Sequence, residues 1–211
     1  MLALALLAAP LAAQTPGRGR GLCAKPDTTK EWYTQQRAWL DESKHDWTDE
    51  ALRNRLLKAA DLDASRPVPV QLGWSVLEPR AVPADSAIAA MLRGMLRQRG
   101  AAFPTRSVVG AAGARAVFMI VLGDTTLEAL TYRRMQEAGL GEAFEPDVAV
   151  LEDRVRVRAG RGQLFGTALR GGDGVAPARI EDSSHVDLRR DAAGMPPLAQ
   201  SLCDAMRARV R

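Results

Sequence analysis

The sequence predicts a mainly α fold, an irregular helical bundle with one C-terminal β-hairpin, and three observations lead there. Apolar residues recur at helical spacing in six successive segments, most of them opened by Ser, Thr or Asp. One of those segments, residues 108–122, is apolar nearly all round with Arg115 in its middle, the mark of a central buried helix. Late in the chain, Gly171-Gly172-Asp173-Gly174 separates two β-like runs.

The elements follow in order. Residues 2–13 are apolar, broken at Pro10, and end in Leu11-Ala12-Ala13 before Gln14. This reads as the apolar core and cleavage site of a secretory signal peptide, residues 1–13. No charged segment precedes it, as expected if translation starts a few codons upstream. The run is too short for a bilayer span, which takes about 20 apolar residues. Residues 14–26, with Thr15-Pro16-Gly17-Arg18-Gly19-Arg20-Gly21, read as a flexible mature N-terminus. Residues 27–211 then form a single helical domain, with the hairpin near 163–180.

Thr28 and Glu31 are spaced as a capping box for a first helix reaching about Lys44, with Trp32, Trp39 and Leu40 as its apolar face. Thr48-Asp49-Glu50 caps a second, with Leu52, Leu56 and Leu57 inward. Residues 67–83 carry Pro67, Pro69, Pro79 and Pro83 and read as an extended connector. Asp85-Ser86 opens a helix over residues 87–98, and Ser107 caps the apolar one. Asp124 with Thr125 and Glu128 opens another, ending at Gly139-Leu140-Gly141. Pro146-Asp147 fits the first turn of a sixth, closed by Gly160. Its tail, residues 154–158, alternates with period two, so a strand is the second reading there. Residues 163–169 and 175–180 form the hairpin arms. Ser184 then caps a short helix with Asp187 at the box position, and Pro196-Pro197 begins the last helix, to about Val210.

Composition narrows function more than it names it. The net charge is +4, with 25 Arg against 4 Lys, and residues 86–123 contain Arg93, Arg97, Arg99, Arg106 and Arg115 but no acid. That segment could meet an anionic polymer or lipid headgroup with steep salt dependence. No aromatic residues interleave with these arginines as in a base-stacking platform, so nucleic acid is not the expected partner. Neither a phosphate-binding glycine loop nor a nucleophile elbow is present, and no cofactor is expected. Two His (His45, His185) and two distant Cys make no zinc set, and no metal is expected. In an oxidising compartment Cys23 and Cys203 are candidates for a disulfide, with two separate thiols as the alternative.

The candidate site is a polar cluster in the last third: Asp153, Arg154, Gln163, Thr167, Glu181, Asp182 and Asp187. Gathered around the hairpin, two carboxylates could do acid–base work or hold a hard cation. Alternatively, Asp153 and Glu181 pair with Arg154 and Arg189 to fix the hairpin, and Asp187 caps its helix.

From Phe103 to Leu198 the chain resembles a bacterial family, domain-of-unknown-function family 6624. The matching residues are Phe103-Pro104, Ser107-Val108-Val109-Gly110, Asp124, Asp153-Arg154-Val155 and the run Gly160-Arg161-Gly162-Gln163-Leu164-Phe165-Gly166-Thr167. Ile180-Glu181-Asp182, Val186-Asp187-Leu188-Arg189-Arg190 and Gly194-Met195-Pro196-Pro197-Leu198 complete the series. Val121-Leu122 stands where the family has Gln-His, and Phe165 where it has Tyr. The resemblance implies a shape and a motif set but no reaction. Three functions stay open: a noncatalytic envelope domain binding an unknown protein or small ligand through its hairpin face, a hydrolase using Asp153, Glu181 or Asp182, and the anion binder above. Export places any of them in the periplasm or outside the cell.

Overall fold

A computed structural model describes residues 30–44, 46–62, 86–98, 103–122, 124–170 and 175–208. Residues 1–13, read above as a signal peptide, residues 14–26 with Cys23, the box residue Thr28, His45, the connector 67–83 and the turn 171–174 lie outside the described residues. Those described form eight α-helices: α1 (Glu31–Leu40), α2 (Glu50–Ala59), α3 (Ala87–Arg97), α4 (Arg106–Val121), α5 (Thr125–Glu137), α6 (Glu145–Arg158), α7 (Val186–Ala192) and α8 (Leu198–Ala208). A two-residue antiparallel hairpin, β1 (Leu169–Arg170) and β2 (Ala176–Pro177), and a 3-10 turn, Ser183–His185, stand between α6 and α7. The protein is a mainly helical bundle with a small C-terminal hairpin.

Three helix starts follow directly from the side chains that cap them. Asp49 accepts from the Leu52 amide at 2.8 Å, Ser86 from Ala89 at 3.3 Å, and Asp124 from Thr126 and Leu127 at 3.0 Å each. Each satisfies a backbone donor that the first helical turn leaves without a partner. Against α4 lie α2 and α5, and α5 also packs on α3 and α6. Leu56, Leu92, Val109, Val117, Leu127 and Leu151 are fully buried between them, each contributing about 1.5–3 kcal/mol. No helix among the described residues is long and apolar enough to cross a membrane.

α4 departs from the expected single run capped by Ser107. It begins at Arg106 after Thr105, and Ser107 instead donates through both its amide (3.0 Å) and its hydroxyl (2.8 Å) to Glu142. Gly110 then breaks the helix at φ 71° and ψ 171°. A Cβ there would lie 2.5 Å from both Arg53 Nη1 and Glu42 Oε1, so only glycine fits. The break opens a new helix start, and Glu42 Oε1 accepts from the Ala112 amide at 2.9 Å. Arg53 holds Glu42 with two bonds of 2.7 Å and donates to the Val109 carbonyl at 3.0 Å. α6 stays helical through Arg158, so the strand reading of residues 154–158 does not hold.

Candidate functional site

The candidate residues meet where the end of α6, the hairpin and α7 converge. Asp153, fully buried on α6, faces the chain that follows its own helix. Its Oδ1 accepts from the amides of Leu164 (2.6 Å) and Phe165 (3.1 Å). Its Oδ2 accepts from the amides of Phe165 (3.2 Å) and Thr167 (2.9 Å) and from the Thr167 hydroxyl (2.9 Å). A carboxylate that draws amides at 164, 165 and 167 curls the chain, since an extended strand would send alternate amides to opposite sides. This is why residues 163–168 form a loop rather than the expected hairpin arm, and the ladder shrinks to Leu169–Arg170 against Ala176–Pro177. Gly166 completes the curl at φ 71°, where a Cβ would meet Leu198 at 2.8 Å.

Gln163 closes the loop from the other side. Fully buried, its side-chain amide donates to the carbonyls of Ala168 (3.0 Å) and Ala178 (2.8 Å) and accepts from the Ala168 amide at 2.8 Å. Its backbone forms an isolated parallel bridge with the chain around Ile180, its amide donating to the Arg179 carbonyl and its carbonyl accepting from the Glu181 amide, at 2.9 Å each. Arg190 fastens the loop from α7. It has no exposed surface and donates to the carbonyls of Pro196 and Phe165, at 2.6 Å each, and to the Ser201 hydroxyl. Burial lowers its guanidinium to about 10 against the opposing pull of Asp187 and Asp153, so it stays charged at neutral pH.

The remaining members point elsewhere. Arg154 does not pair with Asp153: it donates to Glu128 on α5 at 3.0 and 2.8 Å, and Arg158 takes the other oxygen. Glu128 was expected to fold back as a capping-box partner and is instead fully buried under these arginines. Glu181 pairs with Arg156 rather than Arg189, and Arg156 also donates to the Gly162 carbonyl at 2.8 Å. Arg189 reaches Asp182 and donates to the Leu164 carbonyl at 2.8 Å. Asp187 caps the following helix, not its own, accepting from the Leu198 amide at 2.7 Å.

At the surface, Asp182 accepts from Ser184 Oγ at 2.6 Å and lies 2.8 Å from His185 Nδ1. Ser184 and His185 hold the Asp182 carboxyl down at about 2. Ser, His and Asp thus touch, but not as a nucleophilic triad, in which opposite ring nitrogens face the acid and the hydroxyl. Here His185 Nδ1 faces both, with Ser184 Oγ at 3.1 Å. No group of three or more His, Cys, Asp or Glu able to hold a metal occurs among the described residues.

Two further charged residues were not in the sequence-derived set. Arg115 Nη1 lies 3.0 Å from Asp147 Oδ1, with side-chain exposures of 3% and 1%. The available signal was a lone arginine inside an apolar helix, which demands a buried partner. Burial pushes the Asp147 carboxyl up to about 7, against the pull of Arg115. The chain matches no protein-family model, and no similar curated protein or solved structure was found.

Proposed function

We propose that this chain is an exported, noncatalytic interaction domain of the cell envelope, which binds a protein or small ligand through the face formed by the hairpin and α7. One observation carries the reading: Asp153 and Gln163, the buried polar residues expected to do chemistry, are engaged in holding the loop, while Glu181 and Asp182 are paired with arginines at the surface. Both Asp153 oxygens and both ends of the Gln163 amide are taken by the loop they fasten. A general base needs an oxygen within reach of substrate, and the buried pair offers none. On α7, the helix whose Arg189 and Arg190 reach the loop, Leu188 is 68% exposed.

The family resemblance is part of the same proposal. Its motif residues Asp153, Gln163, Gly166, Thr167 and Arg190 are the ones that set the loop, so a shared motif would preserve a binding shape. In an envelope compartment, Cys203 on α8 would be joined to Cys23, and an assay of the unreduced, denatured protein would then find no free thiol.

The test is photocrosslinking in the producing cells, with a photoreactive residue at Leu188 and, as control, at Arg55 on α2. The expected result is one discrete adduct from position 188 alone, on material recovered from the envelope fraction. Ester or phosphoester turnover that disappears in Glu181→Ala, with the fold retained, would overturn the reading in favour of a hydrolase.

A further inference from the structure

Asp147 sits in the first turn of α6, where a carboxylate commonly turns back to accept amide bonds from its own helix. It does not do so here. Both its oxygens are buried and neither accepts a hydrogen bond. The charged group acting on it is Arg115, across the interface on α4. The Arg115 guanidinium also lies over two aromatic rings, 4.8 Å from the Phe144 centroid and 5.7 Å from that of Phe118. Phe144 itself packs against Trp39 of α1, ring centroids 4.8 Å apart and planes tilted by 37°. The arginine therefore has a second source of stabilisation, while the carboxylate has none beyond the arginine.

From this asymmetry we propose that Arg115 and Asp147 form a proton-responsive latch between α4 and α6, tightened by acid rather than released by it. A carboxylate stripped of water and given no hydrogen bonds is more costly charged than neutral. Taking up a proton from solvent makes Asp147 a neutral carboxyl with a donor of its own, and Arg115 keeps its aromatic contacts. Burial raises Asp147 from 3.8 to about 7. Between those values the folded chain holds a proton that the unfolded chain has released. Stability from this group is therefore full at acid pH and lost as pH rises towards 7. An ordinary salt-bridged aspartate has the opposite slope. The proposal concerns the core and does not depend on where the protein resides or what it binds.

Urea unfolding of the full chain and of Asp147→Asn between pH 5 and pH 8 tests it. Relative to the variant, the wild-type midpoint should rise as pH falls, its folding constant changing by up to about tenfold per pH unit. Parallel curves, or a wild type that weakens relative to the variant in acid, overturn the proposal. Because Asp147→Asn leaves Arg115 buried beside an amide and could fail to fold, carboxyl-carbon NMR of the wild type gives a second readout. One aspartate should titrate near neutrality. If every aspartate titrates as an ordinary carboxylate, the latch does not exist.

Discussion

Asp147 and Asp153 stand less than two turns apart on α6, and neither exposes any surface. Everything else about them differs. Asp153 accepts from three backbone amides and a hydroxyl, all belonging to the loop it organises. Asp147 accepts none and faces one guanidinium. The first carboxylate specifies a backbone path, because no other side chain offers two acceptors to amides at 164, 165 and 167. The second specifies only that α4 and α6 meet. Burial and charge alone would have ranked the two alike, and hydrogen bonding separates them.

The largest expected effect breaks the first half of this contrast. Asp153→Ala leaves three amides, that of Thr167 buried and those of Leu164 and Phe165 partly so, and a buried hydroxyl without acceptors, each worth about 1–3 kcal/mol when buried. We expect a loss of at least about 4 kcal/mol in urea unfolding, a large share of the roughly 5–15 kcal/mol that holds a typical domain together. Next comes Arg190→Met, which keeps the aliphatic stem but strips donors from the Pro196 and Phe165 carbonyls and from Ser201. Removing the buried charge offsets part of this, so about 2 kcal/mol should be lost.

The other half of the contrast predicts tolerance. Arg115→Met combined with Asp147→Leu replaces a buried ion pair by apolar groups of similar size, a change that is often neutral or stabilising. We expect the double variant to stay within about 1.5 kcal/mol of wild type and to lose the pH slope that Asp147 supplies. Loss of the fold would show that this pair specifies structure as Asp153 does, and the distinction between the two carboxylates would collapse.

How much of this the sequence shows depends on how local each cause is. Helix starts at Asp49, Ser86 and Asp124 are legible because a cap acts over two or three residues. The same logic misleads at Glu128, which has the box spacing from Thr125, and at Ser107, read as a cap: in each a distant partner wins, Arg154 in one case and Glu142 in the other. The hairpin is legible as a composition signal, yet its arms are overestimated, because the force that bends residues 163–168 comes from Asp153, ten or more positions earlier. Asp153, Gln163 and Thr167, grouped from the sequence, come together at one loop. Arg154 is wrongly joined to them, because neighbours along a helix point about 100° apart. Arg115 is visible as an anomaly, but nothing in one sequence says that Asp147, rather than another acid, answers it.

The smallest effect tests whether the surface carboxylates belong with Asp153 at all. Glu181 was grouped with it in the sequence, but its ion pair with Arg156 is half exposed on the Glu181 side, at 48%. Water screens such a pair, and Arg156 retains its bond to the Gly162 carbonyl when the partner is gone. Glu181→Gln should therefore change stability by less than about 1 kcal/mol and leave the loop amides as protected from hydrogen exchange as in wild type. Thr167→Val, which removes one of the Asp153 bonds, should lose about 1 kcal/mol and expose those amides more. If Glu181→Gln instead releases the amides of Leu164 and Phe165, the exposed acid and the buried one act as a single unit. The boundary between surface pairing and loop fastening would then have to be redrawn to include Arg156.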